Sequence, residues 1–140
     1  MSGKVLIIDD DDALSSLLRD FLVSKGYTVS READGHAGAA RAREILPDLI
    51  TLDFNMPGNN GVETYNELHR YPETAVIPVI FLSSTLLGLI KRMLTENSRL
   101  RFLKKGCSTK ELELCVSEMM ALPKLAPPPP PPPRKSDLHH

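Results

Sequence analysis

Five side chains in this sequence could share one reaction. Asp9 and Asp10 follow the apolar run Val5-Leu6-Ile7-Ile8, and Asp53 follows Leu49-Ile50-Thr51-Leu52. Ser83 follows Pro78-Val79-Ile80-Phe81-Leu82, and Lys105 closes a shorter run from Leu100 to Lys104. Each stands where a buried strand is predicted to stop. Parallel strands would deliver all five to one sheet edge, where open α/β sheets bind ligands. Three carboxylates brought together repel unless a cation sits among them. An all-oxygen cluster suits Mg²⁺, which keeps several waters and takes few carboxylates. The lysine adds a second positive charge and the serine a hydroxyl donor. The set describes an anion site beside a metal, with the Asp53 carboxylate as nucleophile. Phosphoryl transfer to a carboxylate fits, because that chemistry is mostly positioning and charge neutralisation. Each residue alone carries little weight, since a strand-end Asp often caps, a Ser turns and a Lys is solvated. The combination at four strand ends is the signal.

The elements that must position these residues alternate. After Asp9-Asp10-Asp11-Asp12, Leu14, Leu17, Leu18, Phe21 and Leu22 recur at helical spacing as far as Gly26. Asp11 or Asp12 can cap that helix, where acids suit the positive end. Tyr27 to Ser30 reads as a short second strand, and Gly35 to Leu46 as an Ala-rich helix interrupted by Gly38. A third helix opens at Asn60-Gly61, puts Val62, Tyr65, Leu68 and His69 on one face, and closes before Pro72. A fourth carries Leu86, Leu87, Leu89, Ile90, Met93 and Leu94. The last starts at Ser108-Thr109-Lys110-Glu111, which has the form of a capping box, and carries Leu112, Leu114, Cys115, Val116 and Met119. Strand then helix, five times over, implies α/β architecture: a parallel sheet with helices on both faces.

Composition removes several function classes. Eighteen acids against seventeen bases leave no whole-chain attraction to nucleic acid or membrane. No apolar run approaches the ~20 residues of a membrane span. The first residues reach a strand too soon for a signal peptide, so a cytoplasmic location is expected. If Cys107 and Cys115 share the last helix, they lie about 12 Å apart along its axis and cannot bridge. No Cys/His spacing resembles a metal site.

The sequence resembles the receiver domain of two-component response regulators over residues 4 to about 121. The motifs are Asp9-Asp10, the run Leu52-Asp53-Phe54-Asn55-Met56-Pro57 with Gly61, the strand Pro78 to Ser83, and Phe102-Leu103-Lys104-Lys105. The resemblance implies a five-stranded flavodoxin-like (βα)5 fold with five flanking helices. It implies that Asp53 accepts a phosphoryl group from a partner histidine kinase or phosphotransfer protein. Asp10, Asp53 and the Asn55 carbonyl would bind Mg²⁺, with Asp9 acting through water. Ser83 and Lys105 would contact phosphoryl oxygens, and Phe102 would turn inward as Ser83 moves. Asn55 and Thr85 occupy positions that tune the lifetime of the phosphorylated state. The sequence departs from the family in two places. Gly106 stands where the family usually has a proline, often cis; here a trans bond is expected, because a cis non-proline bond costs about 3 kcal/mol. Glu96 to Arg101 replaces the usual Gly-Ala turn before the fifth strand.

In this family the face of the fourth helix, fifth strand and fifth helix commonly carries the message. Residues 91–110 hold seven bases (Lys91, Arg92, Arg99, Arg101, Lys104, Lys105, Lys110) against Glu96 alone. This face is expected to meet an acidic partner or pair with itself as a homodimer. No nucleic-acid contact and no enzyme activity on separate substrates are expected. The resemblance implies a receiver domain over residues 1–122. Residues 123–140, with seven consecutive prolines from Pro127 to Pro133, read as a linker or loose tail. A competing reading is a degenerate receiver, a binding scaffold without phosphoryl turnover. A phosphatase is disfavoured because Asn55 breaks the Asp-x-Asp pattern, and a flavin protein because no Gly-rich loop follows the first strand.

Overall fold

Five short runs of apolar and β-branched residues build the sheet. In the computed structural model, which describes residues 3–54, 61–84 and 99–123, these are β1 (Lys4–Ile8), β2 (Thr28–Glu32), β3 (Leu49–Asp53), β4 (Val79–Ser83) and β5 (Leu100–Lys104). All pair in parallel, in the order β2-β1-β3-β4-β5. The reversal beside β1 is the topological switch point at which such sheets bind ligands. β3 and β4 are buried along their whole length. Covering on both faces is why they read as unbroken apolar runs.

The helices divide between the two faces. α1 (Asp12–Ser24) and α5 (Thr109–Met120) lie on one, where Leu18, Leu22, Cys115, Val116 and Met119 pack against Val5, Ile7, Leu49, Ile80 and Leu82. α2 (Gly35–Ile45) and α3 (Gly61–Leu68) contribute Ala39, Ala42 and Leu68 to the other, against Leu6, Ile8, Ile50, Leu52, Phe81 and Phe102. Neighbouring strand residues thus serve opposite cores, the period-two rule of a strand. Each fully buried Leu or Ile contributes about 1.5–3 kcal/mol of transfer free energy. No helix among the described residues is long and apolar enough to cross a membrane.

Caps follow local chemistry. The Asp11 carboxylate accepts the Leu14 N–H and Asp34 accepts that of Ala37. Ser108 accepts the Glu111 N–H, so the Ser108–Glu111 stretch does cap α5. Gly38, a weak helix former, earns its place by contact: a Cβ there would lie 2.6 Å from Ile8 Cδ1, so only glycine lets α2 sit this close to β1.

Several local expectations change. β2 starts at Thr28 and runs on through Arg31 and Glu32, because the ladder with β1 continues from Lys4↔Thr28 to Ile8↔Glu32. As an edge strand it tolerates polar residues. After α3 the chain forms one further helical turn, α4 (Pro72–Ala75), with proline at its start, a position where the missing N–H costs nothing. His69 is exposed, bonded to the Tyr65 carbonyl and tilted against the Tyr65 ring, instead of joining the buried face. Leu17 and Leu114 are 69% and 62% exposed, so the apolar stripes of α1 and α5 are narrower than their leucines suggest. Cys107 lies in the turn before α5, not on it, and both cysteines are free. The fourth expected helix (residues 86–94), the loop at 96–98 and the proline run lie outside the described residues.

Candidate functional site

The candidate residues stand at the carboxyl ends of four adjacent strands. Asp9 follows Ile8 and is 2% exposed; Asp53 ends β3 at 1%, and Ser83 ends β4 at 0%. Register keeps them level, with Ile8 beside Leu52, Asp53 beside Leu82 and Ser83 beside Lys104. The ladder continues one bond past the strands: the Lys105 N–H donates to the Ser83 carbonyl (2.8 Å), Phe54 N–H to Leu82 (3.1 Å) and Asp9 N–H to Glu32 (3.1 Å). Sheet hydrogen bonding, and not loop chance, therefore places these residues.

The turn after β5 decides where Lys105 points. The Lys105–Gly106 bond is trans, as expected, and Gly106 has φ +87°, a left-handed value that glycine adopts without a Cβ penalty. The Cys107 N–H closes the turn on the Lys104 carbonyl at 3.1 Å. Lys105 is turned back over the sheet edge. Its Nζ lies 3.0 Å from Asp53 Oδ1 and 3.4 Å from Asp9 Oδ2. Burial pulls the ammonium's pKa down, but the hydrogen bond and charge of Asp53 and the charge of Asp9 outweigh it, leaving the pKa above the usual lysine value.

Asp9, Asp10 and Asp53 each offer a carboxylate oxygen within 4.8 Å of the others. Asp10 is exposed at the mouth while the other two are buried. At such spacing and an effective dielectric of about 20, each carboxylate pair repels by roughly 3 kcal/mol. One ammonium leaves the set with two excess negative charges, and a divalent cation would bring it to zero. The donors are hard oxygens throughout, which fits Mg²⁺. Asp9 is already engaged at both oxygens: Oδ1 accepts the Asp11 N–H at 2.9 Å and Oδ2 faces Lys105.

Phe102 is 7% exposed in β5, its ring centroid 5.9 Å from that of Phe81. Phe81 also meets Tyr65 at 5.8 Å and Phe54, next to Asp53, at 6.4 Å. Asn55 and Thr85 lie outside the described residues. Of the basic face, Lys104 and Lys110 are exposed, whereas Arg99 donates to the Val76 and Pro123 carbonyls and so serves the fold. Sequence reasoning passed over Arg31, which lies past the expected end of the second strand. Its guanidinium contacts the Asp9 carbonyl and the Asp12 carboxylate. A cation two residues beyond a strand's last apolar residue, with four acids elsewhere, carried no local signal.

The response regulator receiver domain family matches residues 5–117. The phosphate regulon transcriptional regulatory protein PhoB of Rhizobium meliloti (strain 1021) is 38% identical over 84 residues, 60% of this chain and 37% of that protein. The chain thus spans little more than a third of that relative. Among solved structures, the signal receiver domain of a signal transduction histidine kinase from Syntrophus aciditrophicus is 26% identical with a TM-score of 0.72, covering 85% of this chain and 90% of that one. The receiver domain of a sensor histidine kinase from Pseudomonas aeruginosa PAO1, solved with a magnesium ion coordinated in its active-site cleft, shares the fold at 22% identity and a TM-score of 0.78, over 87% of this chain and 100% of that one. With the acidic pair, the strand-end aspartate and the lysine gathered at one edge of a β2-β1-β3-β4-β5 sheet, the chain belongs to the receiver domains of two-component response regulators.

Proposed function

We propose that this receiver takes a phosphoryl group on Asp53 from the phosphohistidine of a partner kinase or phosphotransfer protein, with Mg²⁺ bound. The observation that carries the reading is the contact of Lys105 Nζ with Asp53 at 3.0 Å inside a cluster of three carboxylates. An Asp53 oxygen attacks phosphorus, a P–O bond forms, the P–N bond to the donor imidazole breaks, and the imidazole leaves with the electron pair. Bound Mg²⁺ would neutralise charge on the transferring group and on Asp53. Asp10 and Asp53 would hold it, joined by the Asn55 carbonyl, and Asp9, with both oxygens engaged, would act through water. Lys105 binds a phosphoryl oxygen with its ammonium, and Ser83 donates its hydroxyl to another. Burial of Asp53 excludes bulk water and strengthens each of these interactions.

The same event is read out through β5. Ser83 and Lys105 are joined by a backbone hydrogen bond, and Phe102 packs on Phe81 two residues before Ser83. Movement of Ser83 toward a bound phosphoryl group would shift the Phe102 pocket and the face of β5 and α5. That face would bind an acidic partner or a second copy of the chain.

Intact-protein mass after incubation with acetyl phosphate tests the reading. One phosphoryl gain is expected, dependent on Mg²⁺ and absent in Asp53→Asn. A folded protein that binds Mg²⁺ and gains no mass would overturn it in favour of a binding scaffold.

A further inference from the structure

We propose that Arg31 is a positioning residue for the acidic pair, and that the Mg²⁺ affinity of the site depends on it. The inference rests on the Mg²⁺ reading above. Parallel pairing sets Arg31 beside Ile7, one residue short of the strand end. From there its Nε and Nη2 donate to the Asp9 carbonyl at 3.2 and 2.9 Å. Its Nη1 donates to Asp12 Oδ1, in the first turn of α1, at 2.6 Å. One planar fork thus spans the strand end and the helix start between which Asp9 and Asp10 lie, a geometry that a lysine ammonium cannot reproduce.

That link bears directly on the carboxylates. The Asp9 carbonyl belongs to a residue only 2% exposed, so it needs a partner from the protein. The rest of the turn is a chain of short-range bonds: Asp11 N–H to Asp9 Oδ1, then Leu14 N–H to Asp11 Oδ1. These bonds follow the backbone wherever it goes. Arg31 adds a tie from a neighbouring strand to the Asp9 main chain, beside the ladder bond from Asp9 N–H to Glu32 and the Lys105 contact with the Asp9 carboxylate.

Two effects of removing Arg31 oppose each other. Loss of a positive charge would favour cation binding; loss of the fork would scatter the carboxylate directions and weaken it. Positioning wins, because Asp12 is 89% and Arg31 29% exposed at the side chain, so water screens the one charge removed, whereas the fork holds the Asp9 carbonyl directly.

The test is isothermal titration of the full chain with MgCl₂, for wild type, Asp53→Asn, Arg31→Gln and Arg31→Lys, with thermal unfolding in EDTA to verify each fold. Arg31→Gln should bind Mg²⁺ about tenfold more weakly, the range for residues that orient metal ligands. Arg31→Lys, which keeps the charge, should also bind more weakly than wild type, and decides the matter if Arg31→Gln fails to fold. Tighter or unchanged binding by Arg31→Gln, or wild-type affinity in Arg31→Lys, overturns the proposal while the Mg²⁺ reading stands. Wild type that binds no Mg²⁺, or binds it equally with Asp53→Asn, overturns both.

Discussion

Replacing Lys105 by methionine removes a charge at nearly constant length, and its cost should depend on Mg²⁺. The ammonium lies 3.0 Å from Asp53 and 3.4 Å from Asp9, with 18% of the side chain exposed. At an effective dielectric of about 20, gross attractions at these distances are about 5 kcal/mol each. Desolvation of the ammonium cancels much of this. Deleting one partner of a buried ion pair costs about 3–5 kcal/mol, because the remaining charge stays buried. With part of the lysine in water, the lower end applies, about 3 kcal/mol. For a domain of this size that is a fall of roughly 10 °C in Tm. Scanning calorimetry at pH 7 in EDTA should show it. In saturating MgCl₂ the gap should shrink by more than half, because a cation then sits among the same carboxylates. A variant melting with wild type in EDTA would refute the charge argument. A gap untouched by Mg²⁺ would show that the three acids do not form a cation site.

Two further outcomes follow from the same geometry. Lys105 has a folded-state pKa above its ordinary 10.5, so its stabilising contribution is complete below that value and is lost as pH rises through the folded-state pKa. The urea midpoint gap between wild type and Lys105→Met should hold steady from neutral pH into the alkaline range and close only above the ordinary lysine value; closure near neutrality would contradict it. Gly106→Ala meets no atom within 4 Å but must adopt φ +87°, so it should lose about 1–2 kcal/mol in chemical denaturation while still gaining a phosphoryl group from acetyl phosphate. Loss of that gain in a folded variant would show that alanine does not hold the left-handed turn that returns Lys105 to Asp53.

Much of this was legible in the residues. Apolar runs ending at Asp9, Asp53 and Ser83 announce buried strands because both faces of a parallel sheet must be covered, so period and polarity coincide. The Ser108–Glu111 cap of α5 and the Asp11 cap of α1 obey local hydrogen-bond chemistry, which needs no tertiary context. Local pattern also identified Lys105 as the lysine closing the last strand. Other features depend on neighbours distant in sequence. β2 extends past Ser30 through Arg31 and Glu32 because β1 offers a ladder. Gly38 is required by Ile8, thirty positions away in sequence. Leu17 and Leu114 face water because packing sets helix orientation, and each lies off the face its helix turns to the sheet.

What the sequence by itself determined is the set of groups and the edge they share: carboxylates, hydroxyl and lysine at the ends of strands that can only run parallel. What the tertiary structure alone decided is their separation and charge balance. The left-handed turn at Gly106 returns Lys105 to within 3.0 Å of Asp53, and pairing of an edge strand brings Arg31 onto the Asp9 carbonyl. Both are distances of a few ångströms between residues tens of positions apart, and electrostatic energy changes steeply over that range. Periodicity along one chain carries no information at that resolution.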